Sequence, residues 1–523
     1  MNKNNLPIYF SFAVIFGILI GSFFNGDASG FTSFSSNAKN ELKIKKLLNY
    51  IQRDYLDTVN TDKLLDGAIA QMLNKLDPHS VYIPKENLQA ITENMQGNFV
   101  GIGVQFRMIK DSITVIQPIK GGPSIKAGIK AGDRILMADK DTLFGKEIRS
   151  GNVPKFLKGK PATKVALQIY RKSTDSLFTV SIKRGKVNIK SVDLAYMVND
   201  SIGYIKLDRF ARNTYREFKT SLQTLKTRGM TDLILDLRGN GGGFIDIANR
   251  IVDEFLEDEK RIVFTKNNKN EITESFATEN GIFENGGVYV LMDENSASAS
   301  EILAGALQDN DKGTIVGRRS FGKGLVQQEM DLGDGSAVRL TIARYYTPTG
   351  RSIQKPYSKN GDYTYASDYQ QRVRNGELSN KDSIPVVDSL RYTTPKGKIV
   401  YGGGGIIPDV FVPIDTTSYM NNFYFIAITN FAFEYVDRNR MEIAEKWTLD
   451  TFIADFDTNA LIFDEFYAKI KKFKPSIKTQ EIIQKYLKSS IANEIFGDVG
   501  FYRMQHKEDK MILKVLELEN QQE

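Results

Sequence analysis

The sequence has no cysteine, and its only two histidines are His79 and His506. The absence of cysteine excludes disulfide bonds, thiol catalysis and zinc sites built from cysteine and histidine. A histidine-dependent triad has no convenient donor, because one histidine lies far upstream and the other lies near the C-terminus. Any side-chain nucleophile must therefore be a serine or a threonine.

The chain has little net charge for its length. Its 70 lysines and arginines exceed its 63 aspartates and glutamates by 7, and no dense basic run marks a surface for nucleic acid. A composition of 41% hydrophobic and 25% charged residues argues against a disordered or fibrous chain. The length of 523 residues predicts about three domains.

Long apolar runs are also scarce, and the one strong example lies at Leu6–Phe24. Its 17 residues from Ile8 onward would form a helix about 26 Å long, at the short end for a hydrocarbon core. The alternative is a cleaved signal peptide, but Gly21–Phe24 fits an A-x-A-like cleavage site poorly. With Lys3 on the cytoplasmic side, we predict an uncleaved anchor in the cytoplasmic membrane and an exported catalytic part in the periplasm.

The rest of the chain changes its pattern several times, which predicts a multidomain α+β protein. Helical spacing marks both ends, short β-like runs between glycine turns mark one module, and strands alternate with helices in the core. A polar stretch without a sustained period predicts an extended surface insertion in the core. We expect an anchor and linker at 1–37, an N-terminal helical domain at 38–96, a β-rich domain at 97–186, a core at 187–413 with the insertion at 355–398, and a C-terminal helical region at 414–523.

The α/β core has the clearest pattern, because short apolar runs alternate with segments of helical spacing. The predicted helices are at Thr214–Lys226, Ile245–Phe255 and Ala299–Leu307. The predicted strands are at Ile202–Leu207, Leu233–Leu237, Val288–Met292, Thr314–Val316 and Ala337–Tyr346.

Two glycine-rich loops in the core resemble nucleotide-binding motifs but lack a required residue. In the first, Arg238–Gly243, a G-x-G-x-x-G pattern started at Gly239 would need glycine where Phe244 stands. In the second, Gly317–Gly324, glycine follows the lysine where a P-loop needs serine or threonine to hold magnesium. The first loop still presents unpaired backbone N–H groups at a helix start, which suits a phosphate or a transient oxyanion.

Three serines, Ser296, Ser298 and Ser300, stand at the start of the third predicted helix of the core. Each is a candidate nucleophile, and the pattern alone does not choose among them. The alternative is structural, because Ser298 and Glu301 satisfy the S-x-x-E pattern of a capping box. A nucleophile would also need a base, and Lys323 is the candidate.

A lysine acts as a base only when it is uncharged. Its ordinary pKa near 10.4 leaves fewer than about one in a thousand side chains neutral at neutral pH, so burial must lower the pKa by several units. Phe321, Leu325 and Val326 can supply an apolar wall around Lys323. The alternative is a solvated lysine in a glycine turn, which describes most lysines in proteins.

Six short segments of the chain are distinctive: Leu76–Ser80, Leu235–Gly243, Ser296–Ile302, Phe321–Gly324, Tyr346–Gln354 and Gly405–Asp409. Together they resemble the motifs of the carboxy-terminal processing peptidases, also called tail-specific proteases, in the family's order and over roughly Leu42–Pro413. The resemblance implies a serine protease with a PDZ domain and a crotonase-like α/β catalytic core.

The resemblance places the serine nucleophile on Ser298 and the general-base lysine on Lys323, 25 positions later. It implies that Gln327 orients the base and that Asp309 has a supporting role, against the alternative of a solvated residue near a helix C-terminus. Four residues of straight strand would separate the Lys323 and Gln327 Cα atoms by about 13 Å, so their contact requires a bend or long side chains.

The resemblance also implies an oxyanion hole and a peptide-binding loop. The hole would combine the N–H of Ala299 with that of Gly243 or Gly242, as two converging donors. A PDZ loop holds a terminal carboxylate by its backbone N–H groups while the peptide adds a strand to an edge. The alternative is an inert β spacer. The residues at the position of that loop are Gly101, Ile102, Gly103 and Val104.

The sequence thus predicts an exported serine endopeptidase that cleaves protein C-terminal tails by acyl transfer, with a Ser298/Lys323 pair. We expect no metal, cofactor or nucleic acid, and protein or peptide substrates with free C-termini. A homo-oligomer or an adaptor protein remains open as a further partner. The alternatives are a non-catalytic PDZ scaffold for periplasmic partners and an amidase or lipase-like hydrolase.

Overall fold

The computed structural model describes residues 31–357, 367–416, 420–458, 460–470 and 475–521. The predicted anchor at Leu6–Phe24 lies outside these residues. Within the described ranges, no helix is both long enough and apolar enough to cross a membrane. Contacts divide the chain into two units, 1–73 and 74–523.

The first unit contains two described helices, α1 at Phe31–Asp54 and α2 at Thr61–Asn74. Helix α2 begins after Asn60, whose side chain accepts the backbone N–H of Lys63 at 3.0 Å. That bond satisfies one of the donors that a first helical turn leaves unpaired. The helical pattern expected at the N-terminal end of the chain is therefore present as two separate helices.

The second unit starts before the boundary that the sequence predicts at residue 96. Strand β1 at Val81–Ile83 pairs antiparallel with a core strand at Ala337–Tyr346. Helix α3 at Lys85–Gln96 follows it in the same unit. The boundary lies after residue 73 because this pairing joins residues 81–83 to the core.

Residues 97–186 form a β-rich domain, called here the PDZ-like domain. Strand β3 is an edge strand in the sheet order β3-β4-β5-β7-β8, and β6 pairs with β5. Residues 127–133 form turns, in which Gly128 and Gly132 adopt positive φ. The elements are β2 at Asn98–Gly101, β3 at Val104–Ile109, β4 at Ser112–Pro118, α4 at Pro123–Lys126, β5 at Arg134–Ala138, β6 at Asp141–Thr142, α5 at Pro154–Leu157, β7 at Lys164–Arg171, β8 at Ser176–Lys183 and β9 at Gly185–Asn188, which pairs with β2.

The core sheet has the strand order β10-β11-β12-β15-β16-β21, in which β11 to β21 are parallel and β10 is antiparallel. Its central strands are apolar and buried, as expected for a sheet with both faces covered. The predicted strands and helices of the core are confirmed to within three residues. The elements are β10 at Val192–Met197, β11 at Ile202–Leu207, α6 at Thr214–Lys226, β12 at Asp232–Asp236, α7 at Ile245–Val252, β15 at Gly287–Met292, α8 at Ala299–Asp309, β16 at Gly313–Gly317 and β21 at Val410–Phe411.

This topology brings two loops together. Strands β12 and β15 are parallel neighbours, with Asp236 opposite Leu291. The loops that follow their carboxyl ends therefore meet at one edge of the sheet, where α/β proteins commonly place their sites. The first is the glycine loop, Arg238–Gly243, and the second is the serine turn, Asp293–Ser298.

A second sheet, which the sequence analysis largely missed, positions the lysine. Its order is β1-β18-β13-β14, and β17 also pairs with β18. The lysine loop, Arg319–Gly324, leads directly into β17. The strands are β13 at Arg261–Asn267, β14 at Ile272–Phe276, β17 at Leu325–Asp331 and β18 at Ala337–Tyr346.

Most described residues of the predicted surface insertion at 355–398 are exposed, but the segment is not extended throughout. Helix α9 at Asp368–Arg374 lies there, followed by the short paired strands β19 at Arg391–Thr393 and β20 at Ile399–Tyr401. Arg372 and Glu377 are buried. Charged side chains are buried in proteins almost only when they are paired, and the partners of these two lie in the lysine loop.

The C-terminal region is helical, as predicted, and has its own apolar cluster around Phe431, Phe452 and Leu487. Its last helix returns to the core sheet, where Met511 and Val515 join a second cluster. The helices are α10 at Asn422–Lys446, α11 at Leu449–Asp455, α12 at Ala460–Ile470, α13 at Ile477–Phe496, α14 at Asp498–Gln505 and α15 at Lys510–Asn520.

Candidate active site

One cavity of about 390 Å³ lies where the glycine loop, the serine turn and the lysine loop converge. Its lining includes Gly242, Gly243, Ser298, Lys323 and Gln327. The last turns of α3 and the start of β17 complete the walls. Residues separated by more than 200 positions in the chain thus line one cavity.

The three candidate serines have different surroundings. Ser296 donates its hydroxyl to the carbonyl of Leu237 at 2.8 Å, and Ser300 donates to the carbonyl of Asn240 at 2.9 Å. Both side chains are buried; Ser296 ties the serine turn to the residue before the glycine loop, and Ser300 ties the first turn of α8 to the glycine loop. Ser298 is the one of the three that lines the cavity. Its φ of +58° is uncommon for a residue with a side chain, as often found at functional turns.

Ser298 is also the N-cap of α8. The same residue is therefore both the helix cap and the candidate nucleophile. The Glu301 carboxylate accepts the Ser298 backbone N–H at 2.8 Å. It also accepts the N–H groups of Gly322 at 2.7 Å and Lys323 at 2.9 Å, and the hydroxyl of Ser320. One buried carboxylate, whose pKa burial raises, therefore joins the serine turn to the lysine loop.

Burial lowers the pKa of Lys323, and nearby Arg339 lowers it further. Loss of water disfavours the charged ammonium, and a second cation opposes it. Leu325 and Val326 line the cavity beside the lysine, as expected of the apolar wall. Phe321 instead contacts Lys355, whose Nζ lies 3.7 Å from the ring centroid.

Lys323 Nζ donates a hydrogen bond to Gln327 Oε1 at 2.8 Å. The separation of about 13 Å predicted between the Lys323 and Gln327 Cα atoms assumed a straight strand. That assumption does not apply, because β17 begins only at Leu325 and its pairing shifts register between Val326 and Gln327. Such a bulge redirects side chains. Gln327 Nε2 in turn donates to the backbone carbonyl of His79.

The glycine loop approaches the serine turn closely at Gly242. A Cβ on this residue would lie 2.8 Å from the Ala299 nitrogen and 2.9 Å from the Ser298 Cβ. The Gly242 N–H is already donated to Asn240 Oδ1 at 2.8 Å. Among the described residues, no acceptor is found for the N–H of Gly243 or of Ala299. Two free donors therefore lie beside Ser298.

Asp309 does not line the cavity. It stands at the other end of α8 and forms a 2.6 Å ion pair with Arg351, and both side chains are fully buried. It also accepts the hydroxyl of Thr349 at 2.6 Å. The alternative of a solvated residue at this position is wrong. The contacts of Asp309 hold the Tyr346–Gln354 segment.

Two contributors to the site were not identified from the sequence. The Tyr345 hydroxyl is placed to donate to the carbonyls of Lys323 at 2.8 Å and Ser298 at 3.2 Å. His79 lies near Lys323, and burial lowers its pKa to about 4, with the charge of Lys323 next in effect. The sequence signal for His79 was its place in the Leu76–Ser80 segment.

The predicted peptide-binding loop lies in the PDZ-like domain, outside the lining of the cavity. Gly101 ends β2, Ile102 is buried, and Gly103 has a φ of +76° that favours glycine. Val104 then starts the edge strand β3. A loop followed by an open strand edge can accept an added peptide strand.

No group of three or more metal-ligating side chains occurs among the residues that the structure describes. His506 hydrogen-bonds to the hydroxyl of Tyr196 at 2.6 Å, away from the cavity. Among the groups that line the cavity are the hydroxyl of Ser298, the amine of Lys323, the amide of Gln327 and the backbone of Gly242 and Gly243. That set suits acyl transfer.

Family models match several parts of the chain. The model of peptidase family S41 matches residues 201–363, and that of the PDZ domain matches residues 100–182. The model of the activating protease CtpB N-terminal domain matches residues 27–87, and a family of unknown function matches residues 425–497.

The chain is 36% identical to a carboxy-terminal-processing protease of Bartonella bacilliformis over 309 residues, which are 58% of this chain and 70% of that protein. It is 34% identical to the carboxy-terminal processing protease CtpB of Bacillus subtilis over 318 residues, 60% of this chain and 65% of that protein. The match spans about two thirds of the length of these curated relatives. A solved photosystem II D1 C-terminal processing protease covers 71% of this chain and 86% of its own, with 26% identity and a TM-score of 0.37.

Proposed function

Because the chain belongs to the carboxy-terminal processing proteases of peptidase family S41, we propose that it is a serine endopeptidase that cleaves the C-terminal tails of proteins. One observation carries the proposal: Ser298, Lys323 and the glycine loop line a single cavity. A hydroxyl, a partly buried amine and backbone donors in one place are the groups that acyl transfer requires.

The first half of the reaction forms an acyl-enzyme. Lys323, uncharged, takes the proton of the Ser298 hydroxyl as Oγ bonds to the scissile carbonyl carbon. The resulting ammonium gives this proton to the leaving nitrogen as the peptide C–N bond breaks. The C-terminal product leaves as a free amine, and the rest of the substrate stays on Ser298 as an ester.

The second half releases the other product. Lys323 takes a proton from a water molecule that attacks the ester carbonyl. When the ester C–O bond breaks, the ammonium returns a proton to Ser298 Oγ, so the enzyme is restored. Each intermediate carries an oxyanion, and the N–H groups of Ala299 and Gly243 are the donors we assign to it. The Gly242 N–H is a poorer candidate because Asn240 accepts it.

Gln327 is the residue that orients the base in this proposal. Its Oε1 accepts from Lys323 Nζ, and its amide nitrogen is held by the His79 carbonyl. An amide oxygen can accept a hydrogen bond from one N–H of the amine without carrying a formal charge. It therefore directs the lone pair while favouring the ammonium less than a carboxylate would. Asp309 supports the site only indirectly, through the segment that it holds.

The PDZ-like domain is proposed to select the substrate. The backbone N–H groups after Gly101 would hold the terminal carboxylate, and β3 would pair with the extended tail. Protein and peptide substrates with free C-termini are the partners we propose, without a cofactor. We further propose that the chain is exported and held at the cytoplasmic membrane by Leu6–Phe24, with the catalytic part in the periplasm.

The alternative is a PDZ scaffold without activity. A scaffold has no need for a lysine whose pKa is lowered by burial and which shares one cavity with Ser298. That combination favours the enzyme.

The test is cleavage of a model protein with an unstructured tail by the wild type, Ser298→Ala and Lys323→Ala, with circular dichroism to confirm that both variants are folded. We expect cleavage by the wild type and loss of at least about a thousandfold in each variant. A second substrate pair, a peptide with a free C-terminus and its amidated twin, tests capture by the PDZ-like domain. Equal cleavage by all three proteins would refute the mechanism.

A further inference from the structure

Arg372 of α9 contacts the lysine loop from the segment between the family motifs. Its side chain is 3% exposed. The guanidinium donates to the backbone carbonyls of Arg319 at 3.1 Å, Ser320 at 2.9 Å and Phe321 at 3.2 Å. Three consecutive carbonyls of the loop that presents Lys323 are thus held by one side chain.

The next two residues of the lysine loop are held through their N–H groups, by a side chain of the opposite charge. The N–H groups of Gly322 and Lys323 are donated to the Glu301 carboxylate. Carbonyl oxygens, which are negative, therefore face a guanidinium, while amide hydrogens, which are positive, face a carboxylate. Hydrogen bonds to ionised groups are stronger than neutral ones, especially away from water.

The same short segment adds two more ionic contacts. Glu377, three residues after α9, forms a two-pronged pair with Arg319, at 2.7 and 2.6 Å. Asp368, in the first turn of α9, pairs with Lys355 at 3.0 Å and lies 3.0 Å from the Arg372 guanidinium. Buried ion pairs of this kind are costly to break by removal of one partner.

We propose that Arg372 is a positioning residue for the catalytic lysine. It fixes the backbone of the lysine loop so that Lys323 points into the cavity beside Ser298. The described part of the 355–398 insertion is therefore a support for the active site. This inference rests on the proposed function, because it assigns Lys323 the role of base.

The contact predicts a particular kinetic defect. A loosened loop would move the amine away from Ser298, and misplacement by about 1 Å can lower a rate on the order of a hundredfold. It would also admit water to Lys323, so that the pKa lowered by burial would rise toward its ordinary value. The base would then be neutral only at higher pH, and the acid limb of the kcat/KM profile would move up in pH.

The experiment compares Arg372→Met, Arg372→Lys and a control, Arg374→Gln, which lies on the exposed side of the same helix. A tailed model protein is the substrate, and kcat, KM and the pH profile are measured. For Arg372→Met we expect kcat to fall roughly 10-fold to 100-fold with KM within about twofold, since the substrate-binding surfaces are unchanged. Arg372→Lys should be intermediate, because an ammonium cannot hold three carbonyls as a planar guanidinium does.

Hydrogen exchange gives a readout that does not depend on catalysis. The amides of Gly322 and Lys323 should exchange faster in Arg372→Lys than in Arg374→Gln. If Arg372→Met does not fold, Arg372→Lys alone decides by kcat, pH profile and exchange.

Two results would overturn the inference: an Arg372→Lys variant with wild-type kcat, acid limb and exchange, or a defect confined to KM. If the wild type itself does not cleave, or Ser298→Ala cleaves equally, the proposed function fails instead. In that case the exchange measurement still tests the contact between Arg372 and the lysine loop.

Discussion

The catalytic loops and the PDZ-like domain are held in place by different kinds of contact. Around the lysine loop, the charged side chains of Glu301 and Arg372 are 0% and 2% exposed. The contacts between the PDZ-like domain and the C-terminal helical region include ion pairs in which the cation is the more exposed partner, with 17% to 80% of its side chain exposed. Among them, Lys172 pairs with Asp437 and is 47% exposed, and Arg107 pairs with Glu494 and is 31% exposed.

This difference in contacts suits the two proposed tasks, which are catalysis by the loops and substrate recognition by the PDZ-like domain. Catalysis needs reacting groups held within about half an ångström, which buried hydrogen-bonded charges can do. Exposed ion pairs contribute about 0 to 1 kcal/mol each and are weakened by salt. The recognition domain is therefore attached more weakly than the chemistry is held, so a disturbance should be severe in the first region and mild in the second.

Outside the Ser298/Lys323 pair, the largest effect should come from Gly242→Ala. The new Cβ would lie within 2.9 Å of Ser298 and Ala299 atoms, at a φ of +97°, so the donors beside Ser298 must shift. We expect kcat for a tailed substrate to fall on the order of a hundredfold. Gly241→Ala is the matched control, since its Cβ would meet nothing within 4 Å. Similar kcat values for the two variants would contradict the contrast between the catalytic loops and the PDZ-like domain, because the glycine loop would then tolerate displacement.

Gln327→Glu should have an intermediate and pH-dependent effect. A carboxylate beside Lys323 Nζ would favour the ammonium and raise the pKa of the lysine by about 1 to 3 units. A base with a raised pKa is neutral only at higher pH, so the acid limb of kcat/KM should move up. Gln328→Glu places the same charge on the exposed neighbour and should leave the profile nearly unchanged. If the acid limb of kcat/KM in Gln327→Glu lies at the wild-type pH, direct contact between Gln327 and Lys323 is contradicted.

Asp437→Asn should have the smallest effect, limited to stability. The carboxylate pairs with Arg134 at 3.1 Å and Lys172 at 3.2 Å. Its loss removes two such pairs and should lower the free energy of unfolding by roughly 0 to 2 kcal/mol, measured by urea denaturation. Lys110→Ala, which removes a more exposed pair with Glu434, should have less effect. Turnover of a short amidated peptide should stay at the wild-type rate, and a large loss there would show that this interface also positions the catalytic loops.

The core could be predicted from the sequence because its signals are local. Strands such as β11 and β18 are apolar or β-branched runs bounded by turn residues, and their limits match the prediction. The serine turn was found by resemblance, but the choice of Ser298 also has a physical reason. Ser296 and Ser300 donate to the carbonyls of Leu237 and Asn240, about 60 residues earlier in the chain. No local pattern reveals such a partner.

The insertion could not be predicted for the same reason. Its polar composition is typical of a surface segment. Arg372 and Glu377 are nevertheless buried, because the lysine loop supplies carbonyls and an arginine some 50 residues away in sequence. The dual role of Glu301 is similar, since the S-x-x-E pattern predicted its bond to Ser298 and not its bonds to Gly322 and Lys323. A charged side chain is buried only where a partner of opposite charge or polarity meets it. When that partner lies far away in the sequence, no local sequence pattern predicts the burial.

The most direct test of the central claim is the pH dependence of kcat/KM for a tailed substrate, measured for the wild type and for Lys323→Met. The account predicts that wild-type cleavage rises along a limb whose midpoint lies below the ordinary lysine pKa of 10.5, because burial lowers the pKa of Lys323. It also predicts that the folded variant shows no such limb and almost no turnover. A folded Lys323→Met protein that cleaves at the wild-type rate, with the same profile, would contradict the account.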